Sequence, residues 1–315
     1  MKNTWIYVFI LLFAVVIGST LFWIDKINRQ IYAQDLRKKV DNSLKYGLEL
    51  ISDEKKRATQ IAILLSKNAK IISGYTQNDR KKIFDELQLV LGSIKFQNSE
   101  ETIDIQMHTN ELKSYVKSWN FDDFGTQLQS FRKGILKVKE TQEPIVSIEL
   151  GRRLNIKAIA PIMKNRNFLG SVEVIFGFEN IEKKMREQKI KFIVLLEEQY
   201  LKLAVDTKKF DKIKNYAQIT QSCKNQCLQQ LEENIFKINN SYIKTDDFVF
   251  GFIPLYDISG QKLGVIGVAL EIDALGESHL LYDAKKRIDF GIVQESNMSI
   301  HQTQKPVKIN EITIR

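Results

Sequence analysis

Five cationic side chains, Lys117, Arg132, Arg152, Arg153 and Lys157, fall in one stretch of the chain together with two aromatic ones, Trp119 and Phe131. Guanidinium and ammonium groups grip carboxylates and phosphates, and an aromatic wall beside them excludes water. The set is therefore equipped to bind a small anionic or zwitterionic molecule. It is not equipped to transform one. No Ser/His/Asp set, nucleophile elbow, phosphate loop or glycine-framed pair of carboxylates is found, so no catalytic residue is expected. His108, His279 and His301 lie far apart in sequence and form no cluster with Cys or Asp at ligand spacing, so neither a metal nor a cofactor is expected. Each cation also has a plain structural reading: Arg132 could pair with Glu149, Lys157 could be solvated on an exposed strand face, and Phe131 could belong to the core.

The chain that must position these groups has 315 residues, 43% hydrophobic and 27% charged, which suffices for two modest cores. Its net charge of +9 could suggest nucleic acid. Lysines and acids are interleaved throughout, however, with no dense basic block among aromatics, and nucleic acid is not expected as a partner.

Residues Trp5 to Ile24 carry no charge, would span about 30 Å as a helix, and place Trp5 and Trp23 where rings favour the membrane interface. The run is long for a signal peptide, and Gly18-Ser19-Thr20 makes a poor cleavage site, so an uncleaved single-pass anchor is expected. Counting Lys26, Arg29, Arg37, Lys38 and Lys39 behind it would by itself place the body in the cytoplasm.

After the anchor, Val40, Leu44, Leu48, Ile51, Ala58, Ala62, Leu65, Ala69 and Ile72 recur at helical spacing up to Gly74. This predicts one stalk helix over 26–73, or two helices broken near Gly47. An apolar stripe on such a stalk predicts a parallel homodimer. A following helix is expected with Asn78 as its cap and Ile83, Leu87, Val90 and Leu91 buried.

The period then changes to two. Strands are expected at 103–109, 144–150, 155–163 and 168–176 and a strand or turn at 111–119, with helices at 126–140 and 179–188. A second set follows: a hairpin of 191–198 with 200–206, a helix from Cys223 to Ile235, a strand at 241–245 and a hairpin of 248–257 with 262–272. Ile159 to Phe176 and Ile253 to Leu270 share one layout. Pro161 matches Pro254, and Leu169-Gly170 matches Leu263-Gly264, which predicts two copies of one α+β unit.

An anchor, a long helix and two tandem sheet modules resemble the double-Cache sensory domain, a pair of PAS-like modules of bacterial chemoreceptors, sensor kinases and diguanylate cyclases. Within it, His108-Thr109, Trp119, Phe124-Gly125, Leu128, Phe131-Arg132, Glu149, Gly151-Arg152 and Pro161 look like the type 3 group. Lys117 and Lys157 stand where that group has arginine, and Ser147 where it has glycine. Lysine offers a point charge in place of a planar fork, so the resemblance implies a ligand different from that of the relatives, or a drifted site.

The resemblance implies an α+β fold with an anchor over 1–25, a stalk over 26–75, a membrane-distal module over 76–188, a membrane-proximal module over 189–275 and a helix and polar tail over 276–315. It implies ligand contacts from Lys117, Trp119, Arg132, Glu149, Arg152 and Lys157. It also reverses the charge count, placing the body in the periplasm on the bacterial inner membrane. In that compartment Cys223 and Cys227, the two cysteines of the chain, suit a structural staple or a redox sensor. Four-residue spacing on a regular helix sits near the limit of disulfide geometry, so a bridge would need a turn there. No kinase, cyclase or coiled-coil signalling region is read, so the expectation is a ligand sensor acting through a partner signalling protein. The alternatives are a truncated receptor fragment and a membrane-anchored enzyme.

Overall fold

The computed structural model describes residues 4–97, 103–129, 132–204, 212–224, 227, 230 and 241–272. Phe131 and the helix and tail expected over 276–315 lie outside them. The apolar run and the stripe behind it form one continuous helix, α1 (Thr4–Ser66), about 95 Å long at 1.5 Å per residue. Its residues Trp5 and Tyr7 to Ile24 are exposed, and among the described residues α1 is the one helix long and apolar enough to cross a membrane. Gly47 does not break it, and a β-carbon there would lie 3.4 Å from Met185 and Phe192.

The expected stalk ends earlier than Gly74. The Asn68 side chain accepts from Lys70 N at 2.8 Å and Ile71 N at 3.2 Å and starts a separate helix, α2 (Ala69–Gln77). Such capping competes with the continuous helical ladder. Asn78 is not the cap of the next helix either. It closes α2 in the left-handed region (φ 53°, ψ 35°), and Asp79 Oδ1 accepts from Lys82 N at 3.0 Å to start α3 (Arg80–Gln97).

The first sheet comprises β1 (Ile103–Thr109), β2 (Ser114–Lys117), β3 (Ile145–Leu150), β4 (Leu154–Lys164) and β5 (Asn167–Phe176). It is antiparallel in the order β2-β1-β5-β4-β3. The helix expected from Thr126 begins only at Lys133 (α4, Lys133–Thr141), because the chain before it is tied to β2: Gly125 N donates to Ser114 O and Gln127 bridges Lys113.

After α5 (Glu179–Glu187) comes a second antiparallel sheet, with β6 (Ile190–Glu197), β7 (Lys212–Ile213), β8 (Tyr216–Gln218), β9 (Ser241–Lys244), β10 (Phe248–Tyr256) and β11 (Lys262–Glu271) in the order β7-β8-β6-β11-β10-β9. The hairpin expected between 191–198 and 200–206 is absent. Residues Glu198–Lys202 wind into a 3-10 turn held by Tyr200 Oη donating to Lys262 O at 2.8 Å, and β6 pairs with β8 and β11 instead. The fold is α+β.

Leu36, Val40, Leu44, Ile51, Ala58, Ala62 and Leu65 of α1 are buried against both sheets, including β4, β5, β10 and β11. The stripe expected to meet a second copy is thus occupied within the chain. Sheets with one greasy face need such a cover, and one helix long enough to reach both supplies it.

The two similar hairpins share their register. In each, the residue after proline faces the glycine, Ile162 opposite Gly170 and Leu255 opposite Gly264, and the ladder shifts at the next step. Each proline also stands beyond its outer neighbour. β3 stops at Ile145 opposite Ile159, and β9 covers only Val249 to Phe252, so no partner seeks the missing N–H. The glycines let a third strand approach: a β-carbon would lie 2.0 Å from His108 O at Gly170 and 1.9 Å from Leu195 O at Gly264. We expect Gly264→Ala to lower stability by about 1–3 kcal/mol in urea melts, since a backbone oxygen cannot step aside. Gly92→Ala, where nothing lies within 4 Å, should be neutral or stabilising.

Candidate ligand-binding site

Alternation gives the first sheet two chemistries. Ile105, Met107, Ile148, Ile156, Ala158, Val172 and Val174 join the core with α1. The opposite face carries Gln106 and His108 on β1, Lys117 on β2, Ser147 and Glu149 on β3, Lys157 on β4, and Ser171 and Glu173 on β5, all buried. Register brings them together: Gln106 pairs with both Lys117 and Glu173, His108 with Ser171, and Ser147 with Lys157. Over this face lies α4, seated on Leu112, Leu128, Ile145 and Ile159 through Ile135 and Val138.

Arg132 enters the polar group from the start of α4. Its Nη2 donates to Glu173 Oε1 in a fully buried ion pair, and its Nε lies 4.0 Å from Glu149 Oε2. A cation at a helix N-terminus opposes the helix dipole, and the two carboxylates offset that. Glu149 accepts from Ser147 Oγ at 2.9 Å and sits where a β-carbon at Gly134 would be, 2.2 Å from Oε1. His108 Nδ1 meets Ser171 Oγ at 2.9 Å, while its Nε2 stays 3.5 Å from Glu173 Oε2.

Electrostatics separate these groups. Burial alone would raise the Glu173 carboxyl, but the Arg132 guanidinium, then His108 and Lys157, hold it well below the usual carboxylate range. Burial lowers the His108 pKa despite the nearby Glu173, so the ring is neutral. Lys157 is 3% exposed, and its pKa is lowered to about 8, first by burial and then by repulsion from Arg132. Its ammonium makes no hydrogen bond and no ion pair within 4 Å among the described residues, although Glu173 and Glu149 attract it from farther away. Three buried atoms of this group are without a hydrogen bond: Arg132 Nε, His108 Nε2 and Glu173 Oε2. A cation without a direct contact, beside spare donors and a spare acceptor, is an arrangement that can hold a small anion, or a zwitterion with its charges apart.

Of the residues expected to bind, Arg132, Glu149 and Lys157 converge here. Lys157 is not on a solvated face, and the main partner of Arg132 is Glu173 in place of Glu149. Lys117 is buried at the end of β2 and pairs with Asp123 at 2.6 Å. Trp119 is 48% exposed beyond β2 and does not join the buried group. Arg152 and Arg153 stand exposed in the turn between β3 and β4, with Arg153 paired to Asp104 at 2.8 Å. Sequence reasoning missed Glu173, Ser171, Ser147, Gln106 and the placement of His108. One signal was available: an acid at Glu173, flanked by Val172 and Val174 in an alternating strand, shares its face with Ser171 and needs a partner there.

Cys223 and Cys227 are joined by a disulfide with Cα atoms 5.6 Å apart. The helix expected to start at Cys223 does not include it. Cys223 lies in a bend whose preceding amides, Gln221 N and Ser222 N, donate to Glu182 Oε1 at 2.6 and 2.7 Å. Residues 225, 226, 228, 229 and 231–235 of that expected helix lie outside the described residues. The bridge packs on the second sheet with Ile193, Leu195, Phe250 and Val265, and is no part of the cation group.

Over residues 34–275 the sequence matches the family described as the double sensory domain of two-component sensor kinases. No curated protein matches it. Among solved structures, the sensor domain of the V. cholerae histidine kinase DctB is 14% identical, with 76% of this chain and 98% of that chain covered, at a TM-score of 0.48. The ligand-binding domain of the Campylobacter jejuni chemoreceptor Tlp3 in complex with L-valine is 12% identical, with 77% and 94% covered, at 0.45. The same sensory domain with isoleucine bound is 12% identical, with 77% and 94% covered, at 0.47.

Proposed function

The chain belongs to the double-Cache type 3 family of sensory domains, and from that premise we propose that it is a membrane-anchored, extracytoplasmic sensor of a small anionic or zwitterionic molecule. The molecule is held on the outer face of the first sheet by Lys157, Arg132 and Glu149, with Glu173 and His108 behind them. Trp119 and Arg152, both exposed, would meet the ligand on entry, and Lys117, buried at the end of β2, would meet it by leaving Asp123. The observation that carries this reading is Lys157, a buried cation with no partner among the described residues. A protein keeps such a charge at a cost to folding, and an anionic ligand removes that cost.

In this reading the body stands in the periplasm on the inner membrane, tethered by the apolar start of α1. Capture at the sheet is felt by α1, which packs directly on β4 and β5 and continues into the anchor. From there the signal passes to a partner signalling protein. Sensing of this kind needs no bond-making, and the buried group offers recognition chemistry alone.

Thermal shift of the full chain in detergent against amino acids, organic acids and nucleobases tests the reading. A ligand at a hundred times its Kd adds about 2.7 kcal/mol to the folded state, and the melting point rises accordingly. We expect a shift with a carboxylate-bearing compound and none with nucleobases. No shift with any carboxylate would remove the reading.

A further inference from the structure

The tip of the β10–β11 hairpin reaches the helix that covers the candidate site. Asp257 Oδ1 accepts from Ser259 N at 2.8 Å and Gln261 N at 2.9 Å, which folds the tip back on itself. Its Oδ2 accepts from Lys133 Nζ at 3.1 Å, and the same ammonium donates to Ser259 Oγ at 2.6 Å. Lys133 is the first residue of α4 and the neighbour of Arg132. Beside this contact Ile258 packs into the apolar cluster of Leu112, Leu128, Ile135, Val138, Ile145 and Ile159.

That cluster is otherwise built from the first sheet, its β1–β2 turn, and α4 with the segment leading into it, so a side chain from the second sheet completes the seat of α4. An isoleucine is out of place at a hairpin tip, where Gly, Asn, Asp and Ser serve the turn. Here it has a docking site. The tip belongs to β10 and β11, both of which also pack on α1.

We propose that the Asp257–Gln261 tip is a latch that positions Arg132: by gripping the first turn of α4 through Lys133 and Ile258, it couples the arrangement of the ligand site to the second sheet. Lys133 and Ile258 are positioning residues and touch no ligand. A ligand that draws Arg132 inward must shift the first turn of α4, and the tip either follows or lets go. The coupling is reciprocal, so a change at the tip alters the site and a change at the site alters the tip. The existence of a ligand rests on the function proposed above; the mechanical link does not.

Hydrogen exchange of the full chain in detergent, without ligand, tests the link. Ile258→Ser should speed exchange of the α4 amides about tenfold by easing local opening, and Lys133→Gln, a surface change that spares the core, should do so several-fold. In the reverse direction Arg132→Lys, which keeps the charge facing Glu173 but loses the fork, should speed exchange at Ser259 and Gln261. A purely local packing role for the tip would leave that last pair of amides unchanged. The latch is overturned if α4 exchange stays within about twofold of the original in both tip variants, or if Arg132→Lys leaves the tip amides unmoved. A ligand screen that finds nothing is a separate outcome, since this measurement uses no ligand.

Discussion

Replacing Lys157 with methionine should strongly weaken ligand binding and leave the ligand-free protein more stable than the original at neutral pH. The ammonium is buried with no partner among the described residues, and its pKa falls to about 8 from 10.5. A lysine with a depressed folded value is harder to keep charged in the folded chain than in the unfolded one. The penalty is complete below pH 8, and stability recovers as pH rises from 8 to 10.5, where the unfolded chain binds a proton that the folded chain does not. Its size is of order 3 kcal/mol. Methionine fills similar volume with no charge, so the variant should gain roughly that amount at pH 7 and lose the advantage near pH 10. Binding should fall about a hundredfold or more, because truncating one partner of a buried charge pair commonly costs 2–5 kcal/mol. Urea melts at the two pH values, with calorimetric titration of whichever carboxylate shifts the melting point, check both halves. A variant less stable at pH 7 would mean that Lys157 is already paired in the free protein.

Arg132→Met should have the opposite effect on folding, destabilising the chain by about 3–5 kcal/mol at neutral pH, because Glu173 is left charged and buried without its partner. Glu173 is 0% exposed, and in the native arrangement Arg132 is the largest influence holding its pKa down against burial. The pH dependence then changes sign. With the folded value depressed, the original protein has the full benefit above the ordinary value of 4.5 and loses it as pH falls through the folded value. With Arg132 gone, burial is opposed only by His108 and Lys157, and we expect the folded value to rise past 4.5. The variant then gains stability, relative to its own value at neutrality, as acid neutralises Glu173. Adding Glu173→Gln to Arg132→Met should recover most of the loss, and the double-mutant cycle in urea reads the coupling directly. If Arg132→Met cost less than about 1 kcal/mol, the pair would be a solvated one and the site would not be closed.

The two predictions separate charges that sequence reading treats alike. Arg132 and Lys157 are both cations on candidate ligand positions, and in sequence nothing ranks them. In the fold one is matched and the other is not, so the first supports folding and the second opposes it.

Much of the fold was legible from local pattern. Strand β4 and strand β5 show as alternation, α5 as an amphipathic run, the apolar start of α1 as an uncharged stretch, and the matched prolines and glycines of the two hairpins predict a shared layout whose register the sheets display. Where reading failed, a polar side chain had a local use that the apolar period concealed. Asn68 caps a helix within a periodic run, and Asp79 takes the capping role one residue after Asn78. Tyr200 turns an apparent strand into a 3-10 turn by reaching Lys262 O across the sheet.

Residue order alone therefore determined, for most segments, whether they are helix or strand and which side is apolar, since those properties depend largely on neighbours a few positions away. Only the tertiary arrangement decided which strands lie side by side, and so which charges face each other. It set Glu173 against Arg132, left Lys157 without a match, turned the α1 stripe toward the chain's own sheets and sent Ile258 across to α4. The physical reason is that strand order and burial depend on contacts between distant parts of the chain. Burial in turn decides whether a charge is a solvated ornament or a functional group.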